Sequence, residues 1–350
     1  MSSKRAATFL IGACASLALA ATAFAVPRLE SRIDVASAFV TQSDDVWVRV
    51  VIENKGAESA RILRWHLPLA PIGEDLFAVD YDGAAATYLG RHYKRPAPRP
   101  EDWVTLAPGK AIEGRVEISA LYDLSRGGEY TLAFVLPADA VAGGAGRGAV
   151  ASNPVSLWMD GDAKRAEVEA PAPTRSLTPV YRNCSNSQQT ALATALPNAQ
   201  TYAQNAHSYL VNYPSGSRAS SVRYNTWFGT YSSGNWSTAT NHFLNIGNAM
   251  ATQQFTFDCG CTDNYYAYVY PNQPYIVYLC NVFWNAPATG TDSKAGTLVH
   301  ETSHFTVVAG TNDNAYGQTA CKSLAQRSPK KALDNADSHE YFAENSPSLP

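Results

Sequence analysis

The chain has 350 residues, 27 Lys and Arg against 30 Asp and Glu, and a formal net charge of −3. That length leaves room for two domains with cores of their own. So even a charge balance gives no electrostatic reason for a nucleic-acid partner or an anionic membrane surface.

The first stretch, residues 1–25, reads as a signal peptide. Ser3-Lys4-Arg5 precedes an apolar, alanine-rich run that ends in Ala23-Phe24-Ala25, and cleavage after Ala25 fits the small-residue rule. The run is too short for a spanning helix. Ile11-Gly12-Ala13-Cys14 offers a lipoprotein-type box as an alternative, at the cost of a very short hydrophobic region. Export is the expectation, with an extracellular protein, no membrane association after signal removal, and a monomer.

Residues 26–158 read as all-β and sandwich-like. Val46, Val48 and Val50 alternate with Trp47 and Arg49, and Tyr130, Leu132 and Phe134 fall in a similar run. Asn54-Lys55-Gly56, Asp82-Gly83 and Pro108-Gly109 supply turns between such runs. No catalytic constellation appears there. Residues 159–178, with Asp160-Gly161-Asp162-Ala163-Lys164-Arg165 and Pro171-Ala172-Pro173-Thr174-Arg175, read as an exposed linker and a processing target. The residues before 179 hold 19 Lys/Arg and 21 Asp/Glu, whereas 179–350 hold eight and nine, as two separate units would. The expectation is a propeptide over 26–158 that aids folding or masks an active site in 179–350. Having no Cys between residues 15 and 183, it has no cysteine with which to block a metal.

The C-terminal half, 179–350, reads as mainly α with a small antiparallel β-hairpin. Gln188–Tyr213 carries a helical pattern interrupted near Pro197, and Thr238–Gln253 is a second candidate helix. Tyr265–Tyr270 and Tyr275–Leu279, joined by Pro271-Asn272-Gln273-Pro274, read as the hairpin, whose edge strand is placed to hold an extended substrate. Removal of Cys14 with the signal leaves five cysteines. Cys259 and Cys261 are poor partners across one residue, so either Cys184–Cys259 with Cys261–Cys280, or the crossed arrangement, is expected, with Cys321 a buried free thiol.

His300-Glu301-Thr302-Ser303-His304 follows. On a helix, positions four apart share one face, so both imidazoles can close on one Zn²⁺ while Glu301 reaches a water beside it. Asp292 or Ser293 can cap this helix, and Gly296 weakens its interior. A catalytic zinc needs a third protein ligand. Asp313, in the turn-forming run Gly310-Thr311-Asn312-Asp313-Asn314-Ala315-Tyr316-Gly317, is the best placed.

This helix and the Gly-Thr-x-Asp-x-x-Tyr-Gly run resemble the aspzincins, the deuterolysin-like secreted metalloendopeptidases. The likeness is closest to the peptidyl-Lys metalloendopeptidases and covers about residues 180–350. Asn183-Cys184-Ser185, Tyr224-Asn225-Thr226-Trp227-Phe228-Gly229, Phe257-Asp258-Cys259, Tyr268-Val269-Tyr270-Pro271-Asn272 and Asn335-Ala336-Asp337-Ser338-His339-Glu340-Tyr341-Phe342 carry it as well. The resemblance implies a zincin-like α+β catalytic domain holding one Zn²⁺ on His300, His304 and Asp313. It implies Glu301 as general base, Tyr316 as hydrogen-bond donor to the oxyanion, and the pairing Cys184–Cys259 with Cys261–Cys280. It also implies that Asp337 and Glu340 form an acidic pocket for the Lys that follows the scissile bond, so that protein or peptide substrates containing Lys are expected. Asp337 and Glu340 read equally as an Asp-x-x-Glu helix start, with Asp337 as the cap. The alternatives are a deuterolysin of broader specificity and a secreted zinc-stabilised binding protein without turnover; Glu301 argues against the second, because a structural zinc site needs no base.

Overall fold

The computed structural model describes residues 28–144, 148–163 and 177–350, so the expected signal peptide and most of the expected linker lie outside the described residues. Alternating apolar residues build the N-terminal half. In the strand Trp47–Asn54, Val48, Val50 and Ile52 are buried, and in Gly128–Leu136 so are Tyr130, Leu132, Phe134 and Leu136. The first strand lies at the centre of a three-stranded antiparallel sheet with Leu29–Val35 and Ala111–Glu117. The second belongs to a six-stranded sheet that includes Phe77–Tyr81, Val155–Asp160 and Phe39–Thr41. Both sheets feed one buried cluster, so the N-terminal half is β-rich, as expected.

In the C-terminal half the first helix runs without a break from Asn186 to Asn212, with Pro197 inside it. The expected interruption does not occur. Ala195, Ala199, Ala203 and Ala206, all buried, give it a small-residue face, and the helix packs against Ser233–Thr252 and Lys294–His304, so tertiary packing overrides the local breaker. Cys321 is buried and free, on the helix Gln318–Arg327. Cys184–Cys259 and Cys261–Cys280 are the disulfides. Among the described residues no helix is long and apolar enough to cross a membrane.

The hairpin is present, Ala267–Val269 against Ile276–Leu279, but it is part of a larger, mixed sheet. Its order is Val180–Arg182, Thr256–Asp258, Ile276–Leu279, Ala267–Val269 and His92–Lys94, with the first three strands parallel. The fifth strand comes from the N-terminal half. It lies antiparallel on the edge strand, pairing Lys94 with Ala267, Tyr93 with Tyr268 and His92 with Val269. The two halves therefore share a sheet, and the shared edge lies over the helix that carries His300 and His304.

Candidate active site

The motif helix spans Lys294–His304 and is capped by Ser293, whose side chain accepts from the Gly296 amide. Ser293 rather than Asp292 is thus the cap. Every residue from Ala295 to His304 is buried, because this helix lies in the core between the first helix and the pocket helix, Ala336–Glu344. Gly296 is where the pocket helix comes closest: a Cβ there would lie 2.0 Å from Glu344 Oε1 and 2.9 Å from Glu340 Oε1. Glu344 accepts from the amides of Asp292 and Ser293 and from the Ser293 hydroxyl, which ties the two helices together at their carboxylate face.

The chain returns through Gly310, at φ +60°, and brings Asp313 back over the helix. His300 Nε2 is 3.3 Å from Asp313 Oδ1, and His304 Nε2 is 3.4 Å from Asp313 Oδ2. The other nitrogen of each ring faces an oxygen. His304 Nδ1 is 2.7 Å from the Thr311 carbonyl, and His300 Nδ1 is 2.8 Å from Asp337 Oδ1. This orients both Nε2 atoms toward Asp313, the arrangement that outer partners impose on metal-binding imidazoles. Asn335 fixes the returning loop, its Oδ1 accepting from the amides of Asn314 (2.8 Å) and Ala315 (2.9 Å).

His300 Nε2, His304 Nε2 and Asp313 Oδ1 are buried without a hydrogen-bond partner. Buried polar atoms are almost always paired. Two imidazole nitrogens and a carboxylate oxygen are a zinc donor set, and ligands about 2.0–2.1 Å from a tetrahedral centre stand about 3.3 Å apart, close to the 3.3 and 3.4 Å that separate Asp313 from His300 and His304. The residues fit a divalent cation. Glu301, next to His300, is fully buried, and both its oxygens lack a hydrogen-bond partner. Burial, partly offset by His300 and His304, pushes its carboxyl up to about 7.

Asp337 and Glu340 do face the site, but Asp337 is not a helix cap. Asn335 holds that position, and Asp337 instead accepts from the Gly317 amide at 2.7 Å while facing His300. Between the two carboxylates lies a side chain that the sequence did not single out. Lys94, fully buried, has its Nζ 2.7 Å from Glu340 Oε2, 3.6 Å from Asp337 Oδ1 and 3.4 Å from Asp292 Oδ1. The rings of Tyr266 and Tyr341 stand 4.7 and 5.8 Å from the ammonium, and the Tyr341 hydroxyl donates to Asp292. Burial opposes the charge on Lys94, but Asp337, Glu340 and Asp292 outweigh it and hold the ammonium well above the ordinary lysine range.

Tyr316 is also met by the N-terminal half. Its hydroxyl donates to Glu74 Oε1 at 2.9 Å, and Arg95 Nε donates to the same oxygen at 2.9 Å. Arg91 and Arg95, flanking the inserted strand, lie over tyrosine rings of the C-terminal half: Arg91 over Tyr268 at 4.7 Å and Arg95 over Tyr265 at 4.5 Å.

A helix whose two buried imidazoles face one returning Asp, a buried carboxylate beside them and a substrate-like strand on the sheet edge define a metallopeptidase. The aspzincin family model, described as lysine-specific metallo-endopeptidase, matches residues 213–344. An extracellular protease of Aeromonas hydrophila is 44% identical over 344 residues, which is 94% of this chain and 97% of that protein. The peptidyl-Lys metalloendopeptidase of Grifola frondosa is 38% identical over 360 residues, 95% of this chain and 97% of that one. A solved zinc peptidase from Grifola frondosa is 51% identical, covering 48% of this chain and 100% of its own, with a TM-score of 0.45. The chain belongs to the aspzincin family and is a zinc metalloendopeptidase.

Proposed function

We propose that the protein is a secreted endopeptidase that hydrolyses peptide bonds on the amino side of Lys, with one Zn²⁺ held by His300, His304 and Asp313. The observation that carries the specificity is Lys94. A lysine from an antiparallel strand on the sheet edge already sits in the acidic pocket, with its ammonium between Glu340, Asp337 and Asp292. A buried ammonium needs such counter-charges. A substrate strand added to Ala267–Val269 in the same direction delivers its Lys side chain to the same place, with the peptide bond before that Lys at the imidazoles.

Bound zinc supplies Lewis-acid polarisation of a water and of the scissile carbonyl. Glu301, beside His300 with both oxygens unpaired, would take a proton from the attacking water and return it to the leaving amine. Tyr316 donates to the developing oxyanion once its hydroxyl is released from Glu74. Asp337 has two tasks, holding His300 and facing the substrate ammonium, whereas Glu340 lies closer to the ammonium than to His300.

The N-terminal half, on this reading, is a propeptide that inhibits the enzyme and is removed within residues 159–178. Export rests on residues 1–25 and on the extracellular protease of Aeromonas hydrophila that the chain resembles along its length. The functional test is Glu340→Gln in the processed enzyme. Leaving a buried ammonium without its nearest counter-charge costs about 3–5 kcal/mol, so kcat/KM on Lys peptides falls at least about 100-fold while zinc content is unchanged. An unchanged kcat/KM for Lys peptides removes Glu340 from the pocket.

A further inference from the structure

We propose that His92 is a metal ligand in the unprocessed chain, closing on the zinc from the N-terminal half. The inference rests on the zinc reading above and adds to it a fourth ligand that only the intact chain contains.

His92 and Lys94 are two apart on one strand and so project from the same face. With Lys94 anchored in the acidic pocket, that face turns His92 toward the imidazoles. His92 Nδ1 is 3.5 Å from Asp313 Oδ2, close to the 3.3 and 3.4 Å that separate Asp313 from His300 and His304. The His92 ring is buried and stacks on His304, with centroids 4.5 Å apart at 20°, while Tyr88 meets it edge-on at 5.3 Å. Ligand atoms of His92, His304 and Asp313 all lie within 4.8 Å of one another. The strand is pinned at the same point by its backbone, the Tyr93 amide donating to Asp313 Oδ2 at 3.1 Å. Three independent holds therefore bring the ring to the metal-binding carboxylate: the ladder to Ala267–Val269, the buried Lys94 and the Tyr93 amide.

The consequence is chemical. A catalytic zinc keeps one position for water, and a site with four protein ligands is closed. The segment His92-Tyr93-Lys94 lies in the cleft in the direction of a substrate, and His92 takes the position that hydrolysis of the Tyr93–Lys94 bond would require. The N-terminal half then silences the metal as well as filling the pocket, with an imidazole in a chain that has no cysteine to offer there. Once the strand leaves, the fourth position opens and Glu301 gains its water.

The test is X-ray absorption at the zinc edge on the full-length chain carrying Glu301→Gln, which keeps it intact. Scattering from three imidazoles is expected, falling to two in the additional variant His92→Gln and remaining at three in Lys94→Ala, where the pocket is empty but His92 is present. Two imidazoles in the chain that retains His92 overturn the proposal, whatever the variants do. A folded chain, checked by circular dichroism, that retains no zinc overturns the ligand assignment of His300, His304 and Asp313, and this inference with it.

Discussion

Gly296→Ala is the substitution whose outcome separates packing from helix propensity most sharply. Propensity alone favours it, because Ala in a helix interior is worth about 0.8–1 kcal/mol over Gly. The structure opposes it. The new methyl would lie 2.0 Å from Glu344 Oε1, 2.6 Å from Glu344 Cδ and 2.9 Å from Glu340 Oε1. Neither carboxylate swings away cheaply. Glu340 is fully buried, and Glu344 is held by the Asp292 amide, the Ser293 amide and the Ser293 hydroxyl at the very start of the motif helix. Overpacking costs about 1–3 kcal/mol, and each hydrogen bond given up by Glu344, whose carboxyl burial pushes up to about 8, costs about 0.5–1.5 kcal/mol more. Net destabilisation on the order of 2 kcal/mol follows, read as a lower urea midpoint at unchanged m-value. Because Glu340 is displaced as well, kcat/KM on Lys peptides falls along with stability. Gly296→Ala combined with Glu344→Ala restores room for the methyl and recovers part of the loss. A single Gly296→Ala variant as stable as the parent would refute the close approach of the two helices.

Asn335→Ala removes the acceptor for the Asn314 and Ala315 amides, leaving donors unpaired at about 1–3 kcal/mol each. The loop that carries Asp313 loosens, so zinc is lost at a lower concentration of competing chelator than in the parent, read by a zinc indicator dye; loss at the parent's concentration would show that this anchoring is irrelevant. The disulfides span 75 and 19 residues, and chain-entropy arguments give about 4.5 and 3 kcal/mol for them, so replacing Cys184 and Cys259 by Ser lowers stability more than replacing Cys261 and Cys280. Denaturant titration of the two double variants checks that order.

Much of the site is written locally. His300, Glu301 and His304 need only helical spacing to converge, and Asp313 follows within one loop, so a linear motif carries them. The β-character of the N-terminal half is equally local, because alternation in Trp47–Asn54 and Gly128–Leu136 reports which face is buried. What the sequence conceals is placement across about two hundred residues. His92-Tyr93-Lys94 is a three-residue strand whose partner is Ala267–Val269, and nothing in its own composition distinguishes Lys94 from a surface lysine. The basic and aromatic run Arg91-His92-Tyr93-Lys94-Arg95 is the only local hint, since Arg91 and Arg95 end up over tyrosines of the other half. Asp292 escaped notice as a pocket carboxylate because it reads as a helix cap. Asp337 read as one too, yet its oxygens go to His300 and the Gly317 amide. The uninterrupted helix through Pro197 shows the same limit, with tertiary packing overriding a local breaker.

The central claim, hydrolysis before Lys at a zinc site, is tested most directly by mapping where the processed enzyme cuts. An unfolded protein mixture is digested, and the new N-termini are read by mass spectrometry, with Glu301→Gln and a chelator as controls. The account requires new termini that begin almost wholly with Lys and vanish in both controls. Termini of mixed identity that also vanish would contradict the assignment of Asp337, Glu340 and Asp292 to a lysine pocket, and termini that persist in Glu301→Gln would contradict the catalytic site itself.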